Sequence, residues 1–392
     1  MATILLIVIY IAFMGMGVPD SLFGAAWPAI YRDLGIPVGW ASFVTVIIAI
    51  GTVLSSLYAT KIILRFGTEK VTLISTVMTA ISILGFAYSH HFIWLCIFSV
   101  PIGFGAGAID AALNNYVALH YKASHMNYMQ CCYGIGVAIS PYLMSLALER
   151  TKSWNRGYFM TFWLQASIAV IILISLPLWK RVKHAKVEAD AIEQTEVPVK
   201  ELLKDSKIRK ACVMCFATCG IEFICAGWGS TYLVESKGFA IESGARFVIL
   251  YYCGVTVGRF LAGLIADKIK SWNVIFIAEG ITLLGIVFML IPRCTITSLV
   301  GLFLLGFNAI LAPNILYLAP EDFGIKISQS VTGLEMATMY IGVLGLPAIF
   351  GIMTKYVSID IYPIYLFVIF MLLSWSTGSL KYELKNTYKK NI

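Results

Sequence analysis

The sequence predicts an all-α membrane protein, twelve transmembrane helices arranged as two pseudo-symmetric six-helix bundles. Three observations lead there. Only 13% of the 392 residues are charged and 59% are hydrophobic, whereas a soluble domain carries about 25% charged residues. Twelve apolar stretches follow one another, and twelve spans of about 17–25 residues need roughly 240–300 residues, which the chain can supply. The two halves also match each other at a nearly constant offset. With a mean hydropathy of +0.84, the chain is not an ordinary soluble enzyme, a nucleic-acid binder, a disordered polymer or a disulfide-stapled secreted domain.

The stretches fall at 3–30, 41–63, 71–89, 92–118, 128–148, 158–179, 211–233, 245–266, 273–291, 298–319, 329–354 and 362–380. The first lacks a basic leader, and its apolar run is far longer than the roughly 7–15 residues of a signal peptide, so it reads as a spanning helix. Its Gly15-Met16-Gly17-Val18-Pro19-Asp20 run predicts a broken or kinked helix with freed backbone groups. The fourth carries Gly103-Phe104-Gly105-Ala106-Gly107-Ala108-Ile109-Asp110, then Asn114 and Asn115; such small residues let another helix approach closely. Around the fifth stand Asn127, Gln130 and Tyr133, then Gly134, Gly136 and Pro141. A polar stretch separates the sixth stretch from the seventh, dividing the chain into a bundle over 1–180, a linker over 181–210 and a bundle over 211–392. Glu222, Trp228 and Tyr232 lie in the seventh stretch and repeat the order of Asp20, Trp27 and Tyr31 in the first. Arg259 is in the eighth, Glu279 in the ninth, Asn308 and Pro313 in the tenth, Glu335 and Tyr340 in the eleventh.

Nine cysteines are spread over the apolar stretches. Cys212 and Cys215 have the spacing of a redox or metal pair, but within a spanning helix they read as small buried hydrophobes. With no histidine at ligand spacing beside them, neither a metal nor any other cofactor is expected.

Lysine and arginine positions set the orientation. With both termini inside, twenty of them fall in inside loops and tails and seven in outside loops, which predicts cytoplasmic termini in the plasma or inner membrane. The net charge of +8 is then a matter of topology, and nucleic acid is not an expected partner. The expected partners are a small-molecule solute, a coupling ion and the lipid bilayer around a monomer.

The internal match gives the arrangement of the halves. A shift of 203 sets Gly51 on Gly254, Ala59 on Ala262, Val71 on Val274 and Gly103-Phe104 on Gly306-Phe307. Three residues more set Ile135-Gly136-Val137 and Pro141 on Ile341-Gly342-Val343 and Pro347. Two parallel six-helix repeats joined by a cytoplasmic loop resemble the major facilitator carriers, whose substrate site lies near the midplane between the halves. Gly263-Leu264-Ile265-Ala266-Asp267-Lys268 resembles the facilitator motif of the loop between helices 8 and 9. Its work is a latch of charge and helix end at the cytoplasmic face. The first-half copy has Leu64 where the acid would stand, so a weaker latch is expected there.

Acids inside a bilayer cost roughly 2.5–3.5 kcal/mol on insertion scales and are functional candidates by default. Asp20 reads as a substrate ligand or proton carrier, against a role capping the broken helix. Asp110 and Asn114 are four apart and share a face. Desolvation favours the protonated form of a buried carboxyl, so Asp110 is suited to loading and releasing a proton; the second half has Pro313 at that register. Gln130 offers two donors and an acceptor to a ligand, or an interhelical hydrogen bond. Glu222 lines the same cavity as Asp20 if the halves correspond. Glu279 is expected to pair or to snorkel. Arg259, about 12 Å deep by its eight-residue distance from Asp267, needs a buried partner, for which Glu335 is the candidate. Trp27, Trp228, Tyr251, Tyr252 and Tyr340 read either as interfacial belt or as stacking surfaces.

Pro19-Asp20, the run from Gly105 to Asn114, and Asn127 to Gln130 resemble the fucose–galactose–glucose:proton symporter family. That resemblance implies that Asp20 and Asp110 couple the proton, and that Asn114 and Gln130 contact sugar hydroxyls. Tyr133, Trp27, Glu222, Asn308 and Tyr340 complete the expected substrate set, and Asp267, Lys268, Arg259 and Glu335 the structural or gating set. Fucose permeases carry Glu where this chain has Asp110. The expected function is proton-coupled uptake of a monosaccharide by alternating access. Proton-driven multidrug efflux is the alternative, since such exporters also keep an Asp in helix 4. Sodium is the alternative coupling ion. No zinc, nucleophile-elbow or phosphate-loop motif points to an enzyme.

Overall fold

The computed structural model describes residues 2–187, 194–239, 244–291 and 295–390; Arg293, Cys294 and the middle of the linker lie outside them. The first helices are α1 (Ala2–Asp33), α2 (Ala41–Phe66), α3 (Thr68–Ala87), α4 (Phe92–His120), α5 (Ala123–Thr151) and α6 (Trp154–Val187). After a single turn at Val199–Leu202 come α7 (Ser206–Glu235), α8 (Gly244–Ile265) and α9 (Ser271–Leu290). The next helix comes in two pieces, α10a (Thr295–Leu305) and α10b (Leu311–Phe323), and α11 (Ser328–Tyr356) and α12 (Tyr362–Lys390) follow. Among the described residues there is no strand. Eleven helices there are long and apolar enough to cross a membrane, and Ile249–Ile265 within α8 is a shorter apolar helix. Large apolar side chains such as Phe43, Trp163, Ile174, Val368 and Trp375 are exposed. Water penalises such a surface and hydrocarbon does not.

The chain packs as two units. One comprises Met1–Tyr116, Met129–Glu196 and Ile325–Gly333; the other comprises Val117–Tyr128, Val197–Gly324 and Leu334–Ile392. In the first, α1 and α3 both pack on α6; in the second, α7 packs on α12 and α9 on α10a. The first unit's apolar core includes Leu22, Phe23, Trp27, Ile83, Phe86, Leu95, Trp154 and Tyr158.

The repeat seen in the sequence reappears as packing. In the first unit a Cβ on Gly103 would sit 2.2 Å from the Ile48 carbonyl oxygen, and one on Gly51 3.2 Å from the Gly103 Cα. In the second, a Cβ on Gly254 would sit 2.1 Å from the Phe303 carbonyl oxygen and 3.3 Å from the Gly306 Cα. Both helix pairs cross backbone against backbone, at positions 203 apart, where only glycine leaves room.

The Gly15–Asp20 run predicts a broken or kinked helix, and the break does not occur: α1 is continuous from Ala2 to Asp33 with Pro19 and Pro28 inside it. Packing holds it: α5 lies so close that a Cβ on Gly17 would meet the Tyr133 carbonyl oxygen at 2.3 Å. Lipid offers the backbone no other partner, so the helix persists around the proline. The interruption falls instead in the tenth span, where Gly306–Ile310 is a 3-10 helix between α10a and α10b.

Candidate functional site

Prolines shape both units. A proline inside a helix cannot donate to the carbonyl four residues earlier. Pro141 frees the carbonyl of Val137, and Ser21 of α1 donates its hydroxyl to that oxygen at 2.6 Å. Pro313 frees the carbonyl of Ala309, and Arg259 of α8 donates its Nε there at 3.2 Å. Each exposed acceptor thus draws a side chain from a neighbouring helix to a fixed place.

In the first unit Asp20 is exposed on α1, and Tyr133 of α5 donates its hydroxyl to Asp20 Oδ2 at 2.6 Å. Gln130 lies half-buried one turn before Tyr133, on the same face of α5. Asp110 of α4 is buried, and Asn114 donates to its Oδ1 at 2.7 Å and to its backbone oxygen at 2.9 Å. The four-residue spacing therefore closes into one hydrogen-bonded pair. A small cavity in the same unit is lined by Pro19, Ser75, Thr76, Thr79, Ile109 and Gln165, among others. Gln165 of α6 was not expected from the sequence. Its Oε1 is buried without a hydrogen-bond partner among the described residues, leaving an acceptor for a ligand donor. A lone glutamine in an apolar helix is the signal that could have found it.

Trp27 is placed elsewhere. It packs in the apolar core against Phe23, Tyr31 and Phe92 and is 7% exposed. Also within this unit, Asn115 donates to Gln329 Oε1 at 2.8 Å, and Gln329 donates to the Ala111 carbonyl at 3.3 Å. With some two hundred residues between them, no local spacing announces this pair.

In the second unit Arg259 finds its partner, and it is not Glu335. Arg259 Nη2 lies 3.2 Å from Glu222 Oε1, with the two side chains 10% and 14% exposed. The Ala309 carbonyl fixes the guanidinium toward Glu222 of α7, a constraint that depth in the membrane does not contain. Tyr251 donates to the Glu222 carbonyl at 3.0 Å. Asn308, in the 3-10 turn, donates to the Thr218 carbonyl at 2.8 Å. Tyr340 is half-buried on α11. Glu279 accepts from Thr377 at 2.5 Å, a pairing that the sequence leaves open against snorkelling. Trp228 donates to the Pro347 carbonyl at 3.2 Å.

Asp267, just after α8, meets the start of α5. It accepts from the Ser124 backbone N at 3.3 Å and from the Ser124 hydroxyl at 3.0 Å, in the first turn of α5. Lys122 Nζ stands 3.8 Å away. An acid on the free N–H groups of a helix start is favoured by the helix dipole. Lys268 is exposed. The ring of Tyr128 covers Gly263, where a Cβ would meet its Cε1 at 2.3 Å.

Comparison with known proteins adds the family. A yeast relative, "Bypass of stop codon protein 6" of Saccharomyces cerevisiae, is 22% identical over 93% of this chain and 80% of its own length. The hexuronate transporter of Bacillus subtilis is 23% identical over 54% of this chain and 53% of its own. Among solved structures, the fucose:proton symporter FucP of E. coli superposes with a TM-score of 0.71 at 17% identity, covering 95% of this chain and 98% of FucP. The proton:xylose symporter XylE gives 0.76 at 11% identity, covering 96% and 94%. At such identities the structures speak to the fold alone. The profile of the Major Facilitator Superfamily matches residues 5–347, and the chain belongs to that superfamily of multi-pass membrane transporters.

Proposed function

We propose that the protein couples the uptake of a small solute, most simply a monosaccharide, to the entry of a proton. The observation that supports this reading is the pair of carboxyls in the first unit. Asp20 is open and held by Tyr133, whereas Asp110 is buried and held by Asn114. One is placed to exchange with water and the other to stay neutral while the carrier rearranges, because a buried charge is costly and a protonated carboxyl is not. Gln130, Asn114 and Gln165 supply the amide groups that sugar hydroxyls require. On this reading the membrane potential contributes about 2.3 kcal/mol per 100 mV for each proton that enters. The carrier sits in the cell membrane with both termini inside, as a bundle over 1–180, a linker over 181–210 and a bundle over 211–392. The symporters FucP and XylE support a sugar as the solute.

The test is sugar addition to de-energised cells in weakly buffered medium. Alkalinisation of the medium that requires the protein is the expected result. Its absence across a panel of sugars, with the protein present in the membrane, would count against symport. A second reading, an acidic solute, draws on Arg259 and on the hexuronate and cis,cis-muconate transporters among the relatives. Counterflow with paired neutral and acidic sugars separates the two. Unchanged ethidium accumulation in expressing cells would dispose of multidrug efflux.

A further inference from the structure

Glu335 of α11 is completely buried, 0% exposed, and neither of its carboxylate oxygens has a hydrogen-bond partner among the described residues. It lines a small cavity inside the second unit together with Asp322, near the end of α10b. The rest of the wall is almost wholly apolar: Ala211, Met214, Ile275, Ile315, Leu318, Phe323 and Leu380 with the indole of Trp272. The groups that act on these two acids are few. On Glu335 acts Asp322 of α10b, and on Asp322 its neighbour Glu321; the thiols of Cys212 and Cys215 on α7 are within reach of the Glu335 charge. From α12 comes Lys381, which acts on Asp322 and stands 4.4 Å over the Trp272 ring. Lys270, just before α9, acts on Lys381. Among these groups, the cations act at the Asp322 side of the cavity.

The two acids are not equivalent. Asp322 is half-buried, and Trp272 donates its indole N–H to Asp322 Oδ1 at 3.3 Å. Glu335 lies deeper, with no donor at all among the described residues. An ionised carboxylate left alone in an apolar interior costs several kcal/mol, so something of positive charge must sit in the cavity. A metal cation needs a shell of oxygen ligands, and this wall offers two carboxyls and otherwise carbon. A proton needs only one oxygen.

We propose that Glu335 and Asp322 form a proton site in the second unit, separate from the carboxyls of the first. Asp322, nearer the surface, exchanges with water, and Glu335 stores the proton. In the transfer, the O–H bond on Asp322 breaks and one forms on Glu335, while the negative charge passes to Asp322. There the Trp272 N–H and Lys381 receive it. The site does not depend on which solute is carried.

Infrared difference spectroscopy of the full chain in lipid vesicles tests this. At neutral pH the wild-type protein should show a carboxylic-acid carbonyl band with a component that is lost in E335Q and kept in D20N and D110N. D322N should keep that component but exchange its proton for deuterium severalfold more slowly. If E335Q fails to fold, E335D should shift the component instead of removing it. An E335Q or E335D spectrum identical to wild type overturns the proposal, and so does a component that sodium chloride abolishes at constant pH. Because the readout is not transport, these outcomes remain distinct from the failure of sugar-driven alkalinisation.

Discussion

Replacing Arg259 by Met should destabilise the protein more than replacing Arg259 and Glu222 together. The single variant removes the guanidinium from Glu222, which lies 3.2 Å away with its side chain only 14% exposed. Leaving one member of a buried pair costs about 3–5 kcal/mol, and the residual exposure of Glu222 places the expected loss near the lower end. Glu222→Gln in the second variant removes the stranded charge. What remains is the Ala309 carbonyl, orphaned by Pro313 and by the loss of the Arg259 Nε, worth about 1–2 kcal/mol. A chain of this length, at about 2 cal/mol/K of unfolding entropy per residue, shifts its Tm by roughly 1 °C per kcal/mol. Thermal unfolding in detergent, followed by tryptophan fluorescence, should therefore place R259M about 3–5 °C below wild type and E222Q/R259M about 1–2 °C below it. A double variant as unstable as R259M, or more so, would mean that Arg259 does not hold Glu222 in place.

Other expectations follow from the same geometry. Asp110→Asn should abolish uphill transport while solute counterflow persists; uphill accumulation at the wild-type level would make Asp110 a packing residue. Gly103→Ala places a Cβ 2.2 Å from the Ile48 carbonyl oxygen and should cost about 1–3 kcal/mol by overpacking, read as a lower Tm, with Gly254→Ala behaving alike. Asp267→Asn should weaken the hold on the start of α5 by about 0.3–1 kcal/mol. Faster thiol labelling of a cysteine placed at Ser124 in that background, relative to the same cysteine with Asp267 intact, is the check. Gln130→Ala and Gln165→Ala should raise the solute Kd in a binding assay without changing Tm by more than a degree or so.

Much of the architecture was legible because lipid leaves few options. Every spanning segment must satisfy its own backbone, so length and hydropathy were enough to find α1 to α12, and the offset of 203 found the equivalent crossings at Gly51/Gly103 and Gly254/Gly306. Short-range side-chain pairs were legible too: Asp110 and Asn114 sit four apart on a helix and bond. Pairs across helices were not. Depth alone suggested Glu335 for Arg259, because nothing in a spacing argument knows that Pro313 offers a carbonyl to steer the guanidinium toward Glu222. The signal was there, since a proline at position i always frees the oxygen at i−4, and the same rule locates Ser21 on Val137. The Gly15–Asp20 run allows a break that does not occur, for the opposite reason. Glycine and proline weaken a helix intrinsically, but α5 packed against Gly17 decides whether it breaks.

Position 110 of one repeat and position 313 of the other share a register, and the two residues differ in kind. Asp110 carries a charge that can be switched off by a proton; Pro313 has no titratable atom, yet through its missing N–H it stations a permanent cation on the Ala309 carbonyl. A duplicated pair of acids would have made the halves respond alike to every change in pH. With one replaced by proline, only one half has a variable charge here, while the other keeps a constant one. At this register a proton has a side chain to bind in one repeat and none in the other.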